Sequence, residues 1–206
     1  MIIPLDLGAR TVQEILEVPE RPCHVRASIL VAHLSWIRSQ IAQREVDILW
    51  SALPQPLRDR RPDSILPTEW ISFASLILFD RTAIRLFWPG REQAVYEFGR
   101  ASAQLNFGGV LGLQRGINIH SHFWDAKAHH ERFQDHGACV YTPLNQHSFR
   151  LDYSRSFVCS RMLCASALGY LEGSIALLGG HDPIVEETAC QCVGDRTCSF
   201  VVSWES

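Results

Sequence analysis

The chain has 206 residues, enough for one domain with a single sizeable core. Hydrophobic residues make up 47% and charged residues 20%, a composition that excludes intrinsic disorder. The formal net charge of -3 supplies no bulk attraction for nucleic acid or an anionic membrane.

The first residues, MIIPLDLGARTVQEILEVPERP, lack a basic segment followed by an apolar one, so no secretory signal is expected. The longest apolar run, Trp70 to Phe79, is broken by Ser72 and Ser75 and is too short to span a bilayer. The seven cysteines are an odd number, and four of them fall between Cys164 and Cys198. In a chain without an export signal that crowding points to metal before disulfides. A cytoplasmic protein is expected.

Residues 1–25 form an N-terminal arm ended by Pro19 and Pro22, and residues 26–206 form one domain. From Arg26 to Arg44, Leu30, Leu34, Ile37 and Ile41 recur at helical spacing. A short helix follows over Val46 to Leu53, then a solvated connection at 58–64. Thr68 is the expected N-cap of a helix from Trp70 to Trp88, closed by Pro89-Gly90. Glu92 to Phe107 repeats the helical pattern, with Gly99 and Ala103 suited to close packing. After a glycine-rich run, Ile117 to Gln134 carries most of the histidines.

Beyond Gly137 the period changes from helical to alternating. Phe149, Leu151 and Tyr153 mark a half-buried strand, with Ala138 to Leu144 as its hairpin partner. Ser156 to Leu178 is a long apolar helix stopped by Gly179-Gly180. Ile184 to Cys192 and Thr197 to Trp204 make a second hairpin. The expected fold is α+β: N-terminal helices packed on an antiparallel sheet of two hairpins separated by a long helix, with a zinc clip at the C-terminal hairpin.

Cys190 and Cys198 stand roughly equidistant from a turn at Gly194, so they face each other across the hairpin. Two thiolates at such a separation suit one tetrahedral ion. Glu187, three residues before Cys190, joins them only if the strand bulges. Cys164, on the long helix beside the hairpin, can supply a further ligand. Cys192 and Cys159 are rivals for these places, and buried thiols or a Cys190–Cys198 disulfide are the alternatives.

The segment C-A-S-A-L-G-Y-L-E-G from Cys164, with E-E-T-A-C-Q-C-V-G-D-R-T-C-S-F after it, resembles the 4-vinyl-reductase domain. That domain serves as a sensor module in bacterial activators that respond to phenols and toluene. The resemblance implies a structural zinc on Cys164, Glu187, Cys190 and Cys198, within a zinc-binding part spanning 156–206. The match is specific over about 40 residues, and the W-I-S-F-A and Y-E-F-G-R segments resemble further bacterial members. The wider superfamily also contains haem-based nitric oxide sensors and vesicle-tethering subunits with an acyl-filled channel. Its shared theme is an apolar cavity between helices and sheet, with frequent dimerisation through N-terminal helices.

His120, His122, Trp124, His129, His130 and His136 cluster before the first hairpin. They read either as partly exposed helix histidines or as a pocket, with His120 or His122 as polar anchor, Trp124 as aromatic wall and Tyr141 from the neighbouring strand. A haem would need an axial ligand, and Tyr153-Ser154-Arg155 is compressed and lacks the spacing of the Y-x-S-x-R motif that holds propionates in the haem sensors, so no haem is expected. No G-x-S-x-G, phosphate-binding glycine loop or H-E-x-x-H is present, so no enzyme class is favoured. The expected function is a non-catalytic, zinc-stabilised sensor domain, homodimeric, holding a small apolar or aromatic molecule. The alternatives are a scaffold protein with a filled cavity and an accessory of tetrapyrrole or aromatic metabolism.

Overall fold

The computed structural model describes residues 23–91, 93–108, 118–154 and 159–205. The N-terminal arm, apart from its last residues, lies outside them. A short strand β1 (His24–Arg26) leads into α1 (Ala27–Gln40) and α2 (Gln43–Ser51). Strand β2 (Trp70–Ser72) pairs antiparallel with β1 and opens α3 (Phe73–Phe87). Then come α4 (Gln93–Gly108), α5 (Ile119–Phe123) and α6 (Ala126–Phe133). The remainder is β3 (Ala138–Asn145), β4 (Ser148–Ser154), α7 (Arg161–Leu177), β5 (His181–Ala189) and β6 (Thr197–Glu205). The architecture is α+β, and among the described residues no helix is long and apolar enough to cross a membrane.

The sheet has the order β3-β4-β6-β5, all antiparallel: two hairpins joined through β4 and β6, with α7 inserted between them in sequence. Leu151 is paired with Phe200 and Phe149 with Val202, so these side chains share the inward face that their alternation predicts. At Gly179 the backbone turns left-handed (φ +95°), which ends α7 and sends the chain into β5.

Two boundaries differ from expectation. Trp70–Ser72 is a strand because its backbone pairs with β1, and the helix is capped by Ser72, whose Oγ accepts from the Ser75 amide at 3.1 Å. Thr68 is therefore not the cap. The histidine segment is two short helices, because Asp125 caps α6 by accepting from the Ala128 amide. That break re-phases the histidines that follow it.

Helix α7 stands between two cores. Met162 and Ala165 join the helical layer, built around Leu30, Ile37, Phe73, Phe79 and Phe98. Cys164, Leu171 and Ile175 join the sheet-side core of Phe149, Leu151, Phe200 and Val202. A helix buried on both sides needs apolar and small residues all round, which is why its pattern looks weakly amphipathic. It crosses α4 at backbone contact. A Cβ at Gly99 would lie 1.8 Å from the Ser166 carbonyl oxygen, and one at Gly169 1.9 Å from that of Tyr96.

Candidate functional site

A cavity of about 160 Å³, measured as space open to the centre of a water molecule, lies between the helices and the sheet. Ser102 and Asn106 of α4 and Tyr170 of α7 form one side of its wall, Leu151 and Phe200 of the sheet another. Helix α6 and its exit contribute His129, His130, Phe133 and His136, while His122 comes from α5. The lining is largely apolar with a few convergent polar groups, the usual make-up of a ligand site.

Burial keeps the cavity histidines neutral. It depresses His122, His130 and His136, and together with the field of His122 it holds His129 at about 4. The hydrogen bonds then fix two tautomers. His130 Nε2 stands 2.8 Å from the His136 carbonyl oxygen, which can only accept, so Nε2 carries the proton and Nδ1 is a bare lone pair. His136 Nδ1 faces the Asp135 carboxylate at 3.3 Å, leaving Nε2 as its lone pair. Both lone-pair nitrogens are buried without a hydrogen-bond partner. Tyr153 and Tyr170 are held in the phenol form by burial, and Tyr170 Oη lies 3.0 Å from His129 Nε2.

Of the four pocket residues expected from the sequence, His122 lines the cavity. His120 bonds instead to the Tyr141 hydroxyl and, at 2.9 Å, to the Gln146 carbonyl. Trp124 is 73% exposed beside Tyr141. The sequence missed His129, His130 and His136 because an unbroken helix was assumed across Asp125. The D-A-K-A stretch, a capping residue followed by helix formers, is the signal that would have re-phased them.

At the other end of the cavity, which Cys164 and Cys198 also line, the Sγ atoms of Cys164, Cys190 and Cys198 lie within 4.8 Å of one another. Cys164 is 3.8 Å from Cys190 and 3.7 Å from Cys198. Sulfurs bound to one tetrahedral ion at about 2.3 Å stand ~3.8 Å apart, so the donor set has the dimensions of a metal-thiolate site. The Cys164 thiol donates to Cys198 Sγ, and between Cys164 and Cys190 either sulfur can be the donor.

Glu187 reaches this neighbourhood through a bulge. The β5–β6 register shifts between Glu187 and Ala189, so Glu187 and Cys190 both turn inward. One carboxylate oxygen accepts from Arg161 at 2.6 Å, and the other is buried without a partner. Cys192 and Cys159, the rival ligands, are half-buried.

No family model and no curated protein matches this sequence. Solved structures do. An oxygen-binding H-NOX domain related to soluble guanylate cyclases, solved with oxygen, superposes with a TM-score of 0.66 at 14% identity, covering 88% of this chain and 95% of that one. An H-NOX protein from S. oneidensis in the Fe(II)NO state gives 0.60 at 18% identity, covering 88% and 99%. An H-NOX structure from work on haem distortion gives 0.66 at 14% identity, with coverage of 88% and 95%.

The chain has the H-NOX fold. At these identities the likeness establishes architecture and no more. Three expectations are corrected by it. The 4-vinyl-reductase assignment gives way, because these neighbours are H-NOX domains. The structural zinc is not indicated by them, since the cofactor their descriptions name is haem. The reading as a zinc-stabilised holder of an apolar or aromatic molecule falls with both, and the scaffold and metabolic-accessory alternatives fit the H-NOX likeness no better.

Proposed function

We propose that this chain is a gas-sensing domain whose cavity holds a haem-type cofactor. The observation that carries the reading is His130: a buried, neutral imidazole in the cavity wall, its Nε2–H tied to a carbonyl and its Nδ1 lone pair without a partner. Histidines that bind metals are held in this way, with the second ring nitrogen donating to a carbonyl or carboxylate. His136, oriented by Asp135, offers the same chemistry. The H-NOX likeness supports the choice of cofactor, because the structures matched are described with haem, oxygen and nitric oxide.

The unpartnered ring nitrogens of His130 and His136 would hold the iron of such a cofactor. Phe123, Phe133, Leu151 and Phe200 supply apolar cover. Among the described residues no lysine or arginine lines the cavity, so the acid groups of such a cofactor must meet solvent or cations beyond it. Tyr153-Ser154-Arg155 lacks the spacing of a propionate-binding segment, and Arg155 lies outside the described residues. When bound, the iron would supply binding of a diatomic gas. The residues would supply an imidazole nitrogen from His130 or His136, the phenols of Tyr153 and Tyr170 in the cavity wall, and exclusion of water.

Reconstitution with haemin tests the reading. One haem per chain with a sharp Soret band is expected, and His130→Ala should shift that band and weaken binding, with His136→Ala as the comparison. A folded protein that takes up no haem, or one whose spectrum neither variant alters, would falsify it.

A second element concerns the thiols. We propose that Cys164, Cys190 and Cys198 hold one metal ion, with the unpartnered Glu187 oxygen in the fourth position. The sulfur spacings and the orphaned carboxylate oxygen support it. Elemental analysis of the purified chain and of Cys198→Ser decides the matter. Self-association through the helical layer, where Ile48, Leu66 and Leu86 are exposed, belongs to the same proposal and is read by light scattering.

A further inference from the structure

Strand β1 is only three residues long, yet every one of them is bonded to the segment 132–136 that leaves α6. The His24 amide donates to Asp135 Oδ1 at 2.7 Å, and the His24 ring reaches Oδ2 through Nδ1 at 2.7 Å. The Asp135 amide returns a bond to the His24 carbonyl at 3.2 Å. Val25 forms an antiparallel bridge with Gln134, and Arg26 Nε donates to the Arg132 carbonyl at 3.0 Å. The residue before the strand joins in. The Cys23 carbonyl accepts from the Phe73 amide at 2.8 Å, and the Phe73 ring stands edge-on to His136 with centroids 5.5 Å apart.

A carboxylate only accepts, so His24 grips Asp135 at two points, one on each oxygen. That grip fixes the plane of the carboxylate and leaves Oδ1 a second lone pair, which meets His136 Nδ1 at 3.3 Å. The chain of bonds continues, because the His136 carbonyl accepts from His130 Nε2 at 2.8 Å. Two buried ring nitrogens without a partner, His136 Nε2 and His130 Nδ1, therefore trace back to one side chain on β1. His24 itself stands outside the cavity lining, and its side chain is 33% exposed.

We propose that His24 is a positioning residue of the cavity. By gripping Asp135 it sets the orientation of the His136 ring, and through the His136 carbonyl that of His130, so that their bare nitrogens face the cavity. What those nitrogens would hold rests on the haem reading; the grip belongs to the protein without cofactor. Bonding partners behind a metal-binding histidine orient its ring, and their loss typically weakens metal binding about 10–100-fold. Because His24 is partly exposed, its replacement opens no void in the core, which separates a positioning role from a role in folding.

The test compares the full chain with His24→Leu and His24→Asn, whose side-chain amide can donate to Asp135 much as Nδ1 does. In cofactor-free protein, NMR of the histidine rings should show the His136 and His130 signals displaced in His24→Leu and restored in His24→Asn. The signal of His33, in the helical layer, should stay in place in both. In haemin titrations, His24→Leu should bind about tenfold or more weakly with a shifted Soret band, and His24→Asn within about twofold of wild type. Unmoved His136 and His130 signals in His24→Leu overturn the proposal, and so does a loss of haemin affinity that His24→Asn fails to restore. A wild-type chain that takes up no haemin removes the haem reading, while the ring signals still decide the role of His24.

Discussion

The helical layer and the cavity face bury histidine in opposite ways. In the helical layer His33 is fully buried, stacked on Phe98, and its Nδ1 is matched by the Asp80 carboxylate at 2.8 Å. Around the cavity His130 and His136 are buried and His122 and His129 half-buried, and the carboxylate that meets His136, Asp135, is itself shared with His24 near the surface. The first arrangement matches one ring nitrogen to a carboxylate in a packed core, where His33 Nε2 stays without a hydrogen-bond partner. The second sets unpartnered ring nitrogens in the wall of a cavity. The difference teaches that neither burial nor an unpartnered nitrogen marks a site by itself; unspent bonding capacity beside open space does.

The largest effect is expected where α4 crosses α7, the helix that both cores share. Gly99→Leu places atoms into the α7 backbone, so overpacking should cost more than about 4 kcal/mol and leave little soluble folded protein, read by expression and circular dichroism. Phe98→Ala in the helical layer should cost about 4 kcal/mol by urea unfolding. Asp80→Ala leaves His33 buried without its partner and should cost about 3 kcal/mol; a loss near zero would mean that the pair is not the closed unit described.

Acid should act on the cavity face. His129 has a folded value of about 4 against an ordinary 6.5, so the unfolded chain binds the extra proton between those limits. Stability is then complete above pH 6.5 and falls as the pH drops toward 4, by roughly 3 kcal/mol from this residue. His122, His130 and His136 act with the same sign. His129→Gln should flatten the slope in pH-dependent denaturation. The smallest effect is expected at the surface, where Lys127→Ala removes an exposed pair with Glu131 and should change stability by less than ~0.5 kcal/mol.

Much of the fold was legible because its elements obey simple periods. The alternation of Phe149, Leu151 and Tyr153 and of Cys198, Phe200 and Val202 announces the two inner strands, and Leu30, Leu34 and Ile37 announce α1. Strand β2 was hidden, since three residues show no period and its pairing with β1 is a tertiary fact. The thiol grouping was legible as chemistry, but the inward turn of Glu187 depends on a bulge that local sequence does not declare. The histidine cavity was least visible. Its lone pairs are defined by which carbonyl and carboxylate the partner nitrogens meet, and those partners are fixed only once α6 and its exit are placed.

The crossing of α4 and α7 at Gly99 and Gly169 has a mechanical meaning. With main chain resting on main chain, no pliable side chains lie between the two helices to absorb a displacement. Any rotation of α7 forced by an event at Tyr170 or Cys164 is handed directly to α4, and from Phe98 on that helix to Trp36 and His33 of α1. The two glycines thus make a gear of the helix pair, and the outer face of α1 is where its motion emerges.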